Sequence, residues 1–273
     1  MKSRPPPRRD RPADGRGARG APGQGSEAPD WVLVAGPHAV LALASSAPER
    51  IIEILVARES LTQRAEALSR LRAVGLKPNE STRAELDRLA GLLRHQGLLA
   101  RARPADYVDW ESLLERPDAL LVAVDQVTDP HNFGAILRST EAMGGTGALV
   151  TRDRCAQLGA TTTRTSAGAS EILPVAIETN LSRALLAARD AGLSIIGADL
   201  DGVAPEALDL SGPLVLVIGA EGDGLRRLTR ESCTAIVTIP LLGRTESLNA
   251  SAAAAVLLAE VARQRRAKNL AIA

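Results

Sequence analysis

Two stretches of this chain, Leu120-Leu-Val-Ala-Val124 and Leu214-Val-Leu-Val-Ile218, are apolar at every position over the length of a β-strand. Such a strand has no face to show to water, so it belongs inside a mostly parallel sheet covered by helices on both sides. Further strands are expected at Gly147–Thr151, Pro174–Ile177, Ser194–Ala198 and Ala235–Ile239. Helical spacing is expected at Pro130–Met143, Leu181–Ala191, Leu225–Ser232 and Ser247–Arg266. This alternation is that of an α/β domain. A smaller α/β unit precedes it, with strands at Trp31–Ala35, Arg50–Ala57 and Gly97–Arg103. Helices at Pro37–Ser45, Thr62–Val74 and Thr82–Leu89 lie between those strands. The expected organisation is a basic tail (1–30), a small module (31–103), a linker (104–118) with a short helical piece at Asp109–Glu115, and the larger domain (119–273).

Residues 1–30 are rich in Pro, Gly and Arg and nearly free of large apolar side chains, a composition that predicts disorder. Seven basic residues there (Lys2, Arg4, Arg8, Arg9, Arg11, Arg16 and Arg19) face four acidic ones, although the whole chain carries only +1. The C-terminal end adds Arg263, Arg265, Arg266 and Lys268. Basic ends of this kind suit a polyanion such as RNA, and equally serve as solvated tails. The aromatics are Trp31, Tyr107, Trp110 and Phe133, too few for a base-stacking platform. No apolar run is long enough for a membrane span, and the N-terminus lacks the apolar core of a secretory signal. Cys155 and Cys233 have no Cys or His neighbour at metal-ligand spacing, so a reduced cytoplasmic setting and no metal are expected.

Three segments carry candidate chemistry. In the first, Asp129-Pro130 directly after an apolar strand is a strong helix start, at the carboxyl end of a strand where α/β sites lie. On a regular helix His131 and Arg138 share a face, whereas Asn132 points about 120° away from Arg138. Spacing alone therefore favours His131 as the partner of Arg138. Amid Ile136 and Leu137, Arg138 also fits a structural ion pair. The second segment, Gly219-Ala-Glu-Gly-Asp-Gly224, follows a buried strand, and its glycines allow positive φ and close approach to a ligand. It has neither the dinucleotide G-x-G-x-x-G spacing nor the Lys-Ser/Thr ending of a P-loop. Glu221 would repel a phosphate, but it suits the orientation of an arginine or a hydroxyl. In the third, a β-rich run ending at Ile239-Pro240 leads through a loop into an alanine-rich helix whose first turn carries Ser247, Asn249 and Ser251. A helix start offers unpaired N–H groups to a polar ligand, while Ser and Asn are also ordinary N-caps.

Taken in this order and spacing, Asp129-Pro-x-Asn-x-Gly…Arg138, Gly219-x-Glu-Gly-x-Gly and Ile239-Pro…Ser247-Leu-Asn-x-Ser251 resemble the three motifs of the SpoU/TrmH family. These are RNA ribose 2′-O-methyltransferases of the knotted SPOUT class, and the resemblance runs from about Trp31 to Arg265. Val34-Ala-Gly-Pro-His-Ala-Val40, His95-Gln-Gly97 and Leu225-Arg-Arg-Leu-Thr-Arg-Glu231 look closest to the bacterial enzymes that methylate a guanosine of 23S ribosomal RNA, the RlmB type. The resemblance implies a parallel-sheet SPOUT domain with a deep trefoil knot, preceded by an L7Ae-like RNA-binding domain. It also implies a homodimer with the RNA site near the subunit interface, and S-adenosyl-L-methionine as cofactor. Matched catalytic positions are Asn132, Arg138, Glu221, Ser247 and Asn249, so the family selects Asn132 over His131. Backbone groups of Gly219, Ile239 and Leu248 match the cofactor contacts. The chain departs from the family pattern at Arg244-Thr-Glu246 and at Ala250, where valine is common. The implied chemistry is in-line attack of a ribose 2′-oxygen on a sulfonium methyl. Arg138, expected to be oriented by Glu221, would act as an electrostatic clamp rather than a base, because a guanidinium has a pKa above about 12. The alternatives are the same reaction on another RNA, such as a tRNA loop guanosine, and a non-catalytic RNA-binding ribosome-assembly protein.

Overall fold

A computed structural model describes residues 31–91, 93–222 and 224–268. The segment expected to be a disordered basic tail, residues 1–30, lies outside the described residues. The first module runs β1 (Val32–Ala35), α1 (Pro37–Ser46), β2 (Ile51–Ala57), α2 (Ala65–Ala73), β3 (Asn79–Ser81), α3 (Arg83–Ala90) and β4 (Leu98–Ala102). Its sheet has the order β1-β4-β2-β3, antiparallel except for the β2/β3 pair. Side chains alternate across β4. Leu98 and Ala100 join Val40, Leu43 and Leu71 on one face, while Leu99 joins Leu86 and Ala90 on the other. The edge strand β3 was not expected, because Asn79-Glu80-Ser81 carries no apolar signal and is a strand only by pairing with Leu55–Ala57.

α4 (Trp110–Leu114) lies in the connector, and its Trp110 is buried with Nε1 donating to the Ala184 carbonyl at 2.9 Å. The second domain continues with β5 (Leu120–Val124), α5 (Pro130–Ala142), β6 (Gly147–Thr151), α6 (Ala160–Thr165), β7 (Val175–Glu178) and α7 (Leu181–Asp190). It ends with β8 (Ser194–Val203), β9 (Leu214–Ile218), α8 (Arg227–Glu231), β10 (Ala235–Val237) and α9 (Ala250–Ala267). All six strands are parallel, in the order β10-β8-β9-β5-β6-β7. Every residue of β5 and β9 is buried, as their unbroken apolar sequences require. Leu120, Val122, Leu216 and Ile218 pack under α5 and α9, while Leu121, Ala123, Val215 and Val217 pack under α4 and α7.

Some expected boundaries shift. The last helix begins at Ala250 rather than Ser247, because Asn249 is its N-cap. Likewise, β10 stops at Val237, and α8 starts at Arg227 instead of Leu225. α6 escaped notice because Ala160-Thr-Thr-Thr-Arg-Thr165 is rich in β-branched residues with low helix propensity. The basic C-terminal end is largely engaged within the chain. Arg265 is buried and donates to the carbonyls of Asp118, Ala119 and Gly212, each at 2.8 Å. Arg263 pairs with Glu260, and Lys268 with Asp209.

The two modules are tied by a partly buried ion pair. Arg50 bridges to the Glu171 carboxylate and also donates to the Arg103 carbonyl, while Glu171 Oε1 accepts from Thr163 Oγ1 at 2.6 Å. Helices α5 and α6 approach so closely at Gly134 that an added Cβ would lie 2.7 Å from Thr165 Cβ and 2.8 Å from the Thr162 carbonyl oxygen. Alanine there would gain about 1 kcal/mol of helix propensity. It would lose about 1–3 kcal/mol or more to overpacking, because one of the obstacles is backbone. Gly134→Ala should therefore lower unfolding stability in urea titration; an unchanged or raised midpoint would contradict this packing.

Candidate active site

Three loops leave the carboxyl ends of the parallel strands β5, β9 and β10 and meet. The β5–α5 loop brings Asn132 in the first turn of α5, fixed by Asp129, whose Oδ1 accepts from the His131 backbone N–H at 2.8 Å. After β9 comes the glycine loop carrying Glu221. The loop after β10 ends at Asn249, the cap of α9. Asn132 Nδ2 donates to Glu221 Oε1 at 2.8 Å, and Asn249 Nδ2 donates to Asn132 Oδ1 at 3.0 Å and to the same Glu221 oxygen. Residues up to 117 positions apart thus form one closed triangle. The orientation of the Asn249 amide is fixed by its own helix. Its Oδ1 accepts from Ser251 N at 2.9 Å and Ala252 N at 3.3 Å, so Nδ2 must face the triangle.

The glycine loop is built for this. A Cβ on Gly219 would lie 2.4 Å from the Gly224 carbonyl carbon, so the loop closes on itself there; Gly222 and Gly224 have φ of 84° and 64°. Its far end is anchored by Asp125, fully buried at the end of β5. Asp125 accepts from the Arg226 backbone N–H at 2.9 Å and from Arg226 Nε at 2.6 Å. Sequence reading passed over Asp125; the signal was a carboxylate ending an otherwise apolar strand. Cys233, close behind Gly197, has its thiol pushed up to about 12 by burial, which keeps it neutral.

Of the expected residues, Asn132, Glu221 and Asn249 are brought together. His131, favoured by helical spacing, is exposed and makes no side-chain bond among the described residues. Arg138 is exposed on α5, about 9 Å further along the helix axis than Asn132. It has no ion pair among the described residues, and Glu221, expected to orient it, instead accepts from the two amides through Oε1. Ser247 and Leu248 sit in the exposed loop before α9, outside the helix.

A cleft of about 430 Å³ opens on one side of the triangle, lined among others by Gly219, Ile239, Ser247, Leu248 and Leu257. No backbone N–H of the described residues 239–249 donates to another backbone carbonyl, so these groups are available to a ligand. A second cleft of about 450 Å³ is lined by Gln126, Asp129, Asn132 and Arg154, and shares Ala220, Glu221 and Ala250 with the first. Replacing Asn249 by Ser, itself a good cap, should leave the melting temperature nearly unchanged while removing the bridge. Whatever activity the triangle supports should fall about 100-fold or more. Retained activity would make Asn249 a cap only.

A parallel α/β domain with a ligand cleft at the carboxyl ends of its strands, carried behind a small mixed-sheet module, is the class these features define. The model of the SpoU rRNA methylase family matches residues 119–259, and that of RNA 2′-O ribose methyltransferase substrate binding matches residues 33–108. An uncharacterized tRNA/rRNA methyltransferase of Mycolicibacterium vanbaalenii is 43% identical over 258 residues, 92% of this chain and 82% of the relative. The crystal structure of the SpoU methyltransferase AviRb from Streptomyces viridochromogenes, in complex with AdoMet, matches with a TM-score of 0.68 at 28% identity, covering 87% of this chain and 92% of that one. The AdoMet-bound rRNA methyltransferase from Sinorhizobium meliloti shares the fold, with a TM-score of 0.66 at 23% identity over 86% of this chain and 87% of that one. The chain belongs to the SpoU rRNA methylase family.

Proposed function

We propose that the protein transfers a methyl group from S-adenosyl-L-methionine to a ribose 2′-hydroxyl in RNA, with a guanosine of 23S ribosomal RNA as the first candidate target. The observation that carries this is the Asn132–Glu221–Asn249 triangle, whose Glu221 lines two clefts at once. The family membership and the substrate-binding match at residues 33–108 support the RNA class of substrate. The first cleft suits the cofactor: its volume lies in the range of small-molecule sites, Ile239, Leu248 and Leu257 are apolar enough for a nucleobase, and its backbone amides are unspent. Gly219, Ile239 and Leu248 would hold it, with Ser247 beside them. When bound, S-adenosylmethionine supplies an electrophilic sulfonium methyl. We include in this reading a homodimer, the trefoil threading of the loops around residues 219–226 and 238–249, and the division into tail (1–30), RNA-binding module (31–103), linker (104–118) and catalytic domain (119–273). Among the described residues no helix is long and apolar enough to cross a membrane.

Within this reading Glu221 and the two amides form a fixed polar wall that would align the 2′-hydroxyl for in-line attack at roughly 3 Å, the hydroxyl proton passing to solvent as the methyl–sulfur bond breaks to leave the thioether. Arg138, free of Glu221, contributes positive charge toward the developing alkoxide or a neighbouring phosphate. Arg138→Ala should abolish methylation and leave the affinity for S-adenosylmethionine within about twofold in calorimetry; equal loss of both would contradict the clamp. Mass spectrometry of nucleosides from ribosomal and transfer RNA of a deletion strain should show one 2′-O-methyl nucleoside missing, a 23S guanosine on the first reading and a tRNA guanosine on the alternative. An unchanged profile in both would overturn the enzymatic reading and leave a non-catalytic RNA-binding role.

A further inference from the structure

The second cleft is framed by two loops that hold non-glycine residues in the left-handed region, Gln126 at φ 61° and Arg154 at φ 58°. Side chains disfavour that backbone, so the surrounding structure must enforce it. For Arg154 the enforcement is visible on both sides. Thr151 Oγ1 donates to the Asp153 carbonyl at 2.8 Å, and Ala156 N donates to the Val127 carbonyl at 2.8 Å. Gln157 Nε2 bonds the carbonyls of Thr151 and Cys155, and is itself fixed through Tyr107, whose hydroxyl donates to Gln157 Oε1 at 2.8 Å. The result is an exposed guanidinium on a rigid turn, with no hydrogen bond or ion pair to any described residue. Two carboxylates line the same cleft, each with one oxygen turned onto neutral N–H groups, so Arg154 is the cation there that would hold a phosphodiester away from them. Asp129 caps α5, and Glu221 holds the two amides. The Gln126 side-chain amide also has no partner among the described residues.

We infer that this second cleft receives the nucleotide being methylated, and that Arg154 grips its phosphodiester. The inference rests on the RNA methyl-transfer reading. Given that reading, the nucleotide must lie across the shared wall from the cofactor, and the Gln126–Arg154 cleft is the one that shares Ala220, Glu221 and Ala250 with it. An unpaired planar fork of donors on a pre-set turn matches a phosphate bidentately and loses little freedom on binding. Arg154 is therefore a binding and positioning residue, separate from the triangle.

The test compares the full-length protein with Arg154→Gly and Arg154→Lys. Glycine accepts φ near 58°, so that variant keeps the turn while deleting the guanidinium, and its fold is checked by thermal melting. The probe is total ribosomal and transfer RNA from a deletion strain, with tritiated S-adenosylmethionine as methyl donor. Arg154→Gly should raise the KM for RNA about tenfold or more and lower the slope of log affinity against log salt by about one contact. Its melting temperature and cofactor affinity should match those of the unaltered protein. Arg154→Lys should recover part of the loss. An unchanged KM and salt slope in Arg154→Gly would overturn the inference while leaving methyl transfer standing, and so would parallel loss of cofactor binding. Absence of methyl transfer by the unaltered protein would overturn both readings together.

Discussion

The strands β5 and β9 are buried on both faces, and this constraint governs what the rest of the larger domain can do. Their side chains are fully consumed by the packing of α5 and α9 on one face and of α4 and α7 on the other. Neither strand can present a functional side chain along its length, so chemistry is confined to the loops at the carboxyl ends. The parallel order β8-β9-β5 then brings the loops after β5 and β9 side by side. Asp125 ties them together by accepting from Arg226 at the far end of the glycine loop. A charge this deeply buried is tolerable because it is paired and hydrogen-bonded.

The triangle shows why capping and ligand contact need not compete. Asn249 has an acceptor and a donor at opposite ends of one amide. The acceptor satisfies the first turn of α9, and the donor reaches Asn132 and Glu221. The helix start thereby fixes the side chain in the orientation that the junction needs. Asp129 does comparable work for α5, so two of the three loops are set by N-caps.

Much of this was legible in the sequence, for identifiable reasons. Unbroken apolar runs located β5 and β9, and the Asp129-Pro130 pair located the start of α5 almost to the residue. The motif resemblance picked Asn132 over His131, and Asn132 is the one that meets the loops opposite, of which helical spacing carries no information. Spacing also could not reveal that Glu221 binds amides rather than Arg138, since that depends on contacts 89 and 28 positions apart. Strand β3 and helix α6 were missed where tertiary pairing overrides weak local propensity. The C-terminal basic residues looked like a tail, yet Arg265 is a buried strut on three carbonyls.

The central claim is that one wall, Ala220-Glu221 with Ala250, separates a cofactor cleft from a nucleotide cleft and aligns the two. A crystal structure with S-adenosylhomocysteine tests it most directly. The expected result has the adenosine against Ile239, Leu248 and Leu257, and the sulfur at the Glu221 wall directed toward Asn132. A ligand seated instead in the Gln126–Arg154 cleft, or a sulfur turned away from the Glu221 wall, would contradict the account.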